Sequence, residues 1–273
     1  MIAYMPDIYP DELIYSWLSR WVGHCRYCVI PLYRTVSSEF AVKFKDDIKS
    51  ALHSQYGDLD TFLWQHTMLP YYVLFRDEQT RHTALNWLKR RGKVDIANFM
   101  LFSQASIRCL RYCPMCAAED RLKYGESYYH RRHQLWDVSV CIEHGCELLS
   151  TCINLGNTIL IPPDSIIPNE FSTGAPCSKR QVDYSKFVVT AFDATNIDVY
   201  FDYFNHRQRL SAKYALWHSS LVDYERIVQD LHTFYAKCGI CIPEAQFVQK
   251  VVDAYRVDSR IILLLLYMMD KYR

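Results

Sequence analysis

The sequence predicts a mainly α-helical chain organised around one small β-hairpin module that grips a metal. Three observations lead there. Apolar residues recur at three- and four-residue spacing along much of the chain, the period of one helix face. Glycine is scarce, 8 of 273 residues, which favours helices over a turn-rich β-sandwich. Residues 109–149 hold two close pairs, Cys113-x-x-Cys116 and Cys141-x-x-His144, on either side of a basic, aromatic-rich span.

The pairs carry the strongest signal. Zn²⁺ takes four soft or borderline donors in a tetrahedron, and a C-x-x-C turn brings two thiolates onto one ion. A second short pair closes the site from the far end of an intervening hairpin. Four protein donors leave no place for a water, so this is a structural zinc and no hydrolase is predicted. Pro114 and Gly145 supply turn geometry at the two knuckles. Cys109, Cys146 and His133 are nearby spares, and His133 is the best substitute among them. Cys25-x-x-Cys28 and Cys238-x-x-Cys241 read as packing. Their pairing into a second metal site stays open.

Composition narrows the rest. Half of the chain is apolar and 15% is aromatic, enough for a real core. Eleven cysteines, an odd number, at zinc-like spacing and with no signal-peptide pattern, point to a reducing cytoplasm. The longest apolar run, Ile261 to Met269, is too short to span a bilayer. A net charge of +1 argues against a protein that covers long duplexes alone. No phosphate-binding glycine loop, nucleophile elbow or other catalytic constellation appears, so the chain reads as a non-enzyme.

In chain order, residues 10–22 read as a helix, with Pro10 in its first turn and Asp11 and Glu12 against the positive end of the dipole. The apolar arm before it either packs back or enters a partner. Residues 37–69 read as short helices, with Gly57 stopping one and Asp58 or Asp60 capping the next, a helix-turn-helix outline. Pro70-Tyr71-Tyr72 breaks the pattern before a helix over 77–91. That helix ends in Lys89, Arg90, Arg91 and Lys93, the densest basic cluster and a candidate phosphate contact alongside Arg131 and Arg132. Tyr4, Tyr9, Trp17, Arg111 and Tyr128 are candidate partner contacts, since Arg, Tyr and Trp dominate hot spots. The predicted segments are a helical unit over 1–104, the zinc module over 105–152, a loop-rich connector over 153–190 and a second helix-turn-helix-like unit over 191–273.

LRYCPMC at 110–116, YGESYYHRRHQL at 124–135 and VSVCIEHGCELL at 138–149 resemble the zinc-binding core of the TniQ/TnsD family of transposon target-site selectors. MPDIYPDELIYSWLSRW at 5–21 is similar to the same family's opening segment. At Trp136-Asp137 the family more often shows a small turn-forming stretch. The resemblance implies a bacterial, cytoplasmic adaptor in DNA transposition. It would link target DNA, or a DNA-bound RNA-guided CRISPR effector, to an AAA+ ATPase regulator, as a monomer or a homodimer. The alternative is a stand-alone DNA-binding zinc protein that reads its own site.

Overall fold

The arm that precedes the first helix folds back onto it. The computed structural model describes residues 4–25, 46–91, 109–154, 160–170, 172–194, 203–216 and 221–271. Helix α1, Ile14–His24, buries every side chain from Ile14 to Trp21. Trp17 donates its Nε1 proton to the Pro6 carbonyl at 2.7 Å, and Arg20 reaches the Asp7 carbonyl at 2.7 Å. The helix starts four residues later than the expected start at Pro10, and Asp11 adopts a left-handed φ of 56°. Asp11 and Glu12 take Arg131 and Arg20 as partners instead of facing the helix dipole. The energies explain that choice. A dipole contact contributes about 0.3–1 kcal/mol, whereas a buried arginine left unpaired costs about 3–5 kcal/mol.

Helix α2, Asp46–Tyr56, stops at Gly57 with φ 79°. Asp58 then caps α3, Leu59–His66, by accepting from Thr61 N at 3.1 Å. These two helices and the glycine turn between them stand where the sequence places them. Residues 37–44, read as an earlier helix, lie outside the described residues. Pro70 does not simply break the chain. It sits in the first turn of the short α4, Leu69–Tyr72, where a missing N–H costs nothing. Helix α5, Glu78–Arg91, opens on Asp77, which accepts from Thr80 N at 2.8 Å.

The module is bracketed by a two-stranded antiparallel sheet, β1 Cys109–Tyr112 against β2 Leu149–Asn154. The span between the two ligand pairs is not a hairpin. It holds helix α6, Pro114–Tyr124, closed by Gly125 at φ 83°, and a 3-10 turn over Arg132–Gln134. The hairpin lies further on, where Val140 bridges Glu147 and presents the second pair at its tip.

The connector is shorter than expected. Residues 160–170 are loop with a 3-10 turn at Pro163–Ser165, tied to the module by Arg121 on Asp164 at 2.9 Å. Helix α7, Lys179–Asp193, begins inside the predicted connector. Its start was legible, because Ser178-x-x-Gln181 forms a reciprocal capping box.

Among the described residues four more helices follow: α8 Tyr203–Lys213, α9 Tyr224–Phe234, α10 Ala245–Val252 and α11 Ser259–Lys271. The apolar run predicted as a buried helix is α11, buried from Ser259 to Met268. One hydrophobic core runs from α1 through the module to α11. Among the described residues no helix is long and apolar enough to cross a membrane.

Candidate metal centre

Each donor is placed by a local backbone feature. Cys113 follows β1 directly in an extended conformation and is the N-cap of α6, its Sγ accepting from Cys116 N at 3.5 Å. Pro114 fills the first helical position, and one turn of helix turns Cys116 back toward Cys113. On the hairpin, Cys141 N donates to Cys146 O at 2.9 Å, and Gly145, at φ 64°, donates to Cys141 O at 2.8 Å. A side chain at Gly145 would be strained by that φ, so the turn that offers His144 depends on glycine.

The Sγ atoms of Cys113, Cys116 and Cys141 and a ring nitrogen of His144 all lie within 4.8 Å of one another. Cys116 and Cys141 are 3.6 Å apart, and His144 Nδ1 is 3.5, 3.3 and 3.6 Å from Cys113, Cys116 and Cys141. A tetrahedron built on Zn–S and Zn–N bonds of about 2.3 and 2.0 Å has S···S edges of about 3.8 Å and S···N edges of about 3.5 Å. The observed edges match that figure closely. The cluster can therefore hold a metal ion, and its size and donor set are consistent with zinc.

The donor chemistry points the same way. Three thiols crowd into one buried space, and Cys116 is pushed up by its hydrogen bonds to Cys113 and Cys141. Cys141, the acceptor shared by Cys113 and Cys116, is held far below the ordinary thiol range. A bound cation removes that competition, because it lets all three ionise.

One neighbour orients a donor. Glu119 Oε1 accepts from His144 Nε2 at 3.0 Å, which fixes the ring with Nδ1 toward the sulfurs. Glu119 went unnoticed in the sequence, although its position three residues after Cys116 puts it on the ligand-bearing side of α6. His133, the expected substitute, lies 3.9 Å from Cys116 Sγ, outside the cluster. Cys146 Sγ lies 3.5 Å from Cys113 Sγ and is not among the four clustered donors. Cys238 is buried and Cys241 half-buried, and neither joins a metal cluster among the described residues. Cys28 lies outside those residues.

The candidate contact residues fall into two groups. Trp17 is fully buried in α1. Tyr128 is buried and donates to the Pro10 carbonyl at 3.0 Å. Arg111 donates to the Leu135 and Val138 carbonyls at 2.7 and 2.6 Å. Arg131 holds Asp11 and the Trp64 and Thr67 carbonyls, and its guanidinium lies over the Phe192 ring. All four side chains are engaged within the fold, Trp17 and Tyr128 buried and Arg111 and Arg131 partly buried. Tyr9 stacks on Tyr124 and donates to Glu126 at 3.1 Å. Tyr4 is half exposed and bonds to His24. Arg132 pairs with Asp193 at 2.9 Å and Lys89 with Asp60 at 2.7 Å. Arg90 is exposed near the end of α5, Arg91 closes that helix, and Lys93 lies outside the described residues.

The family model TniQ matches residues 3–148, the stretch that contains α1 to α6 and all four donors. No curated protein matches the chain.

Proposed function

This chain belongs to the TniQ family, and on that premise we propose that it is a target-site selection adaptor in DNA transposition. It holds target DNA, or a DNA-bound RNA-guided effector, on one face and an AAA+ transposition regulator on another. It performs no chemistry of its own and works in the bacterial cytoplasm, as a monomer or a homodimer. The observation that carries this reading is the family match together with the intact four-donor cluster inside it. Cys113, Cys116, Cys141 and His144 would bind Zn²⁺. The ion would supply folding energy to a module too small to build a core alone, about 10–16 kcal/mol in isolated fingers.

Association measured by interferometry separates this from a stand-alone DNA reader. The adaptor reading expects binding to an immobilised AAA+ regulator from the same element, and DNA retention that is weak without it. The alternative expects tight binding to one duplex by the chain alone, with affinity falling steeply as salt rises. Tight, salt-steep duplex binding with no regulator contact would replace the adaptor with the reader. The exposed Arg90, beside the paired Lys89, is where a phosphate contact is testable. Changing Lys89, Arg90 and Arg91 together spares the fold and weakens DNA retention in a filter assay. Unchanged retention would reduce the cluster to a solvated helix end.

A further inference from the structure

A cavity of about 350 Å³ that includes none of the metal donors lies between α3, the loop joining α4 to α5, the start of the 3-10 turn and the end of α7. It falls at the small end of ligand pockets, which span about 300–1,000 Å³, and so has room for one or two residues. Arg81 and Arg131 line it, together with Trp64 and Phe192. Arg131 is pinned on three sides. Its Nε donates to Asp11 at 3.2 Å, its Nη1 donates to the Trp64 and Thr67 carbonyls at 3.0 and 3.2 Å, and its guanidinium lies over the Phe192 ring. Arg81 donates from Nε and Nη2 to the Val73 and Leu74 carbonyls at 3.4 and 3.0 Å. Among the described residues Arg131 Nη2 and Arg81 Nη1 have no acceptor, and both nitrogens reach solvent.

The charge there is one cation in excess. Asp11 answers Arg131, and Asp193, also on the cavity wall, is paired with Arg132 at 2.9 Å. Arg81 meets only carbonyls, and Asp77, four residues earlier, turns its carboxylate to Thr80. Three guanidiniums are thus set against two carboxylates. A partly desolvated cation without a counter-ion calls for an anion, and the planar guanidinium fork fits a carboxylate or a phosphate. Two features select the carboxylate. Asp193 and the carbonyl end of α7, which carries partial negative charge, oppose a dianion. Trp64, Pro70 and Phe192 favour an apolar body behind the charge.

We propose that this cavity binds a single carboxylate carried on an apolar body, as at the C-terminal residue of a partner protein or in a free aryl acid. The carboxylate sits between Arg81 Nη1 and Arg131 Nη2, and the apolar body lies against Trp64 and Phe192. The site draws on no metal donor and stands apart from the adaptor role.

The test uses the full chain, ¹⁵N-labelled at tryptophan, with the Trp64 indole resonance assigned from the spectrum of Trp64→Phe. It is titrated at neutral pH with N-acetyl-phenylalanine, its neutral amide, phenylpropanoate and phenyl phosphate. N-acetyl-phenylalanine is expected to move the Trp64 signal saturably. The amide is expected to bind roughly tenfold more weakly or worse, as for a lost charge-assisted hydrogen bond. Arg81→Gln is expected to weaken N-acetyl-phenylalanine by a similar factor, and Arg81→Lys, which keeps the charge without the planar fork, by less. Arg226→Gln, at an exposed arginine outside the cavity, leaves binding unchanged. The amide comparison needs no variant and decides even if Arg81→Gln does not fold. Phenylpropanoate that binds as tightly as N-acetyl-phenylalanine assigns the site to free acids, and weaker binding assigns it to a chain terminus. Equal binding of the amide, tighter binding of phenyl phosphate or a Trp64 signal that no probe moves overturns the proposal. So do equal losses in Arg81→Gln and Arg226→Gln.

Discussion

The module of residues 109–154 meets the helices on each side through a buried arginine, and the two joints are built differently. On the N-terminal side Arg20 forks onto Glu12 with both bonds at 2.9 Å, and it also reaches Glu126 of the module at 2.6 Å. The Tyr9 ring lies 3.8 Å from its guanidinium, and His24 shares Glu126. On the C-terminal side Arg260 forks onto Asp137 at 2.5 and 2.7 Å, with the Cys241 carbonyl as a further acceptor. Glu12 has a fallback. It also accepts from Tyr9 N at 3.0 Å, and burial pushes its carboxyl up, so that it can take a proton when its partner is lost. Among the described residues Asp137 shows no comparable second donor. A networked charge is buffered against damage; a single buried clamp is not.

The largest expected effect removes what both joints hold. Cys113→Ser, or chelation at neutral pH, withdraws ion-dependent folding energy on the order of 10 kcal/mol. Both joints should then open together, with zinc lost by elemental analysis and near-ultraviolet dichroism collapsing. Next comes the clamp. Arg260→Met strands Asp137 and should cost about 3–5 kcal/mol in urea unfolding, and Arg260→Met with Asp137→Leu should restore most of it. Arg20→Met should cost a similar amount at pH 7 but recover on acidification. A carboxyl whose folded pKa is raised binds protons more readily folded than unfolded, so stability rises as pH falls toward the unfolded value. If both variants respond to pH alike, the contrast between the joints is wrong.

A third effect belongs to the N-terminal joint alone. His66 Nδ1 donates to the Glu12 carbonyl at 2.8 Å, and burial lowers its pKa to about 4. Between pH 6.5 and 4 the unfolded chain binds this proton and the folded chain does not. The contribution is therefore complete above 6.5 and lost as pH falls through that window. A shift of that size corresponds to about 3 kcal/mol. His66→Gln should flatten the acid limb of the stability profile between pH 6.5 and 4, and an unchanged limb would remove His66 as its source.

The difference between what the sequence foretold and what it hid is one of range. The four donors were legible because each pair sits within three residues and the metal dictates the spacing. Helix starts at Asp58 and Ser178 carry local cap signals, a side-chain acceptor three residues before the N–H it caps. Arg260 and Asp137 stand 123 residues apart, and nothing local marks them as partners. The contacts of Arg111 and Arg131 were illegible for another reason. Most of their acceptors are backbone carbonyls, which leave no trace in side-chain identity, and the Asp11 partner of Arg131 lies 120 residues away. Trp136-Asp137 proves to be a tight turn. Asp137 takes φ 59° there and so aims its carboxylate at Arg260.

The smallest expected effect isolates burial from chemistry. Arg132 and Asp193 join the module to α7 with the same two residue types as the Arg260–Asp137 clamp, at 2.9 Å. Their side chains are 39% and 36% exposed, against 2% and 7% for the clamp. Water already solvates the exposed pair, so little is gained by closing it and little is stranded by opening it. A double-mutant cycle on Arg132→Met and Asp193→Asn should return a coupling of about 0–1 kcal/mol, fading in high salt. The same cycle on Arg260 and Asp137 should return several-fold more and barely respond to salt. Equal couplings would mean that the bidentate geometry, and not desolvation, sets the strength of the clamp.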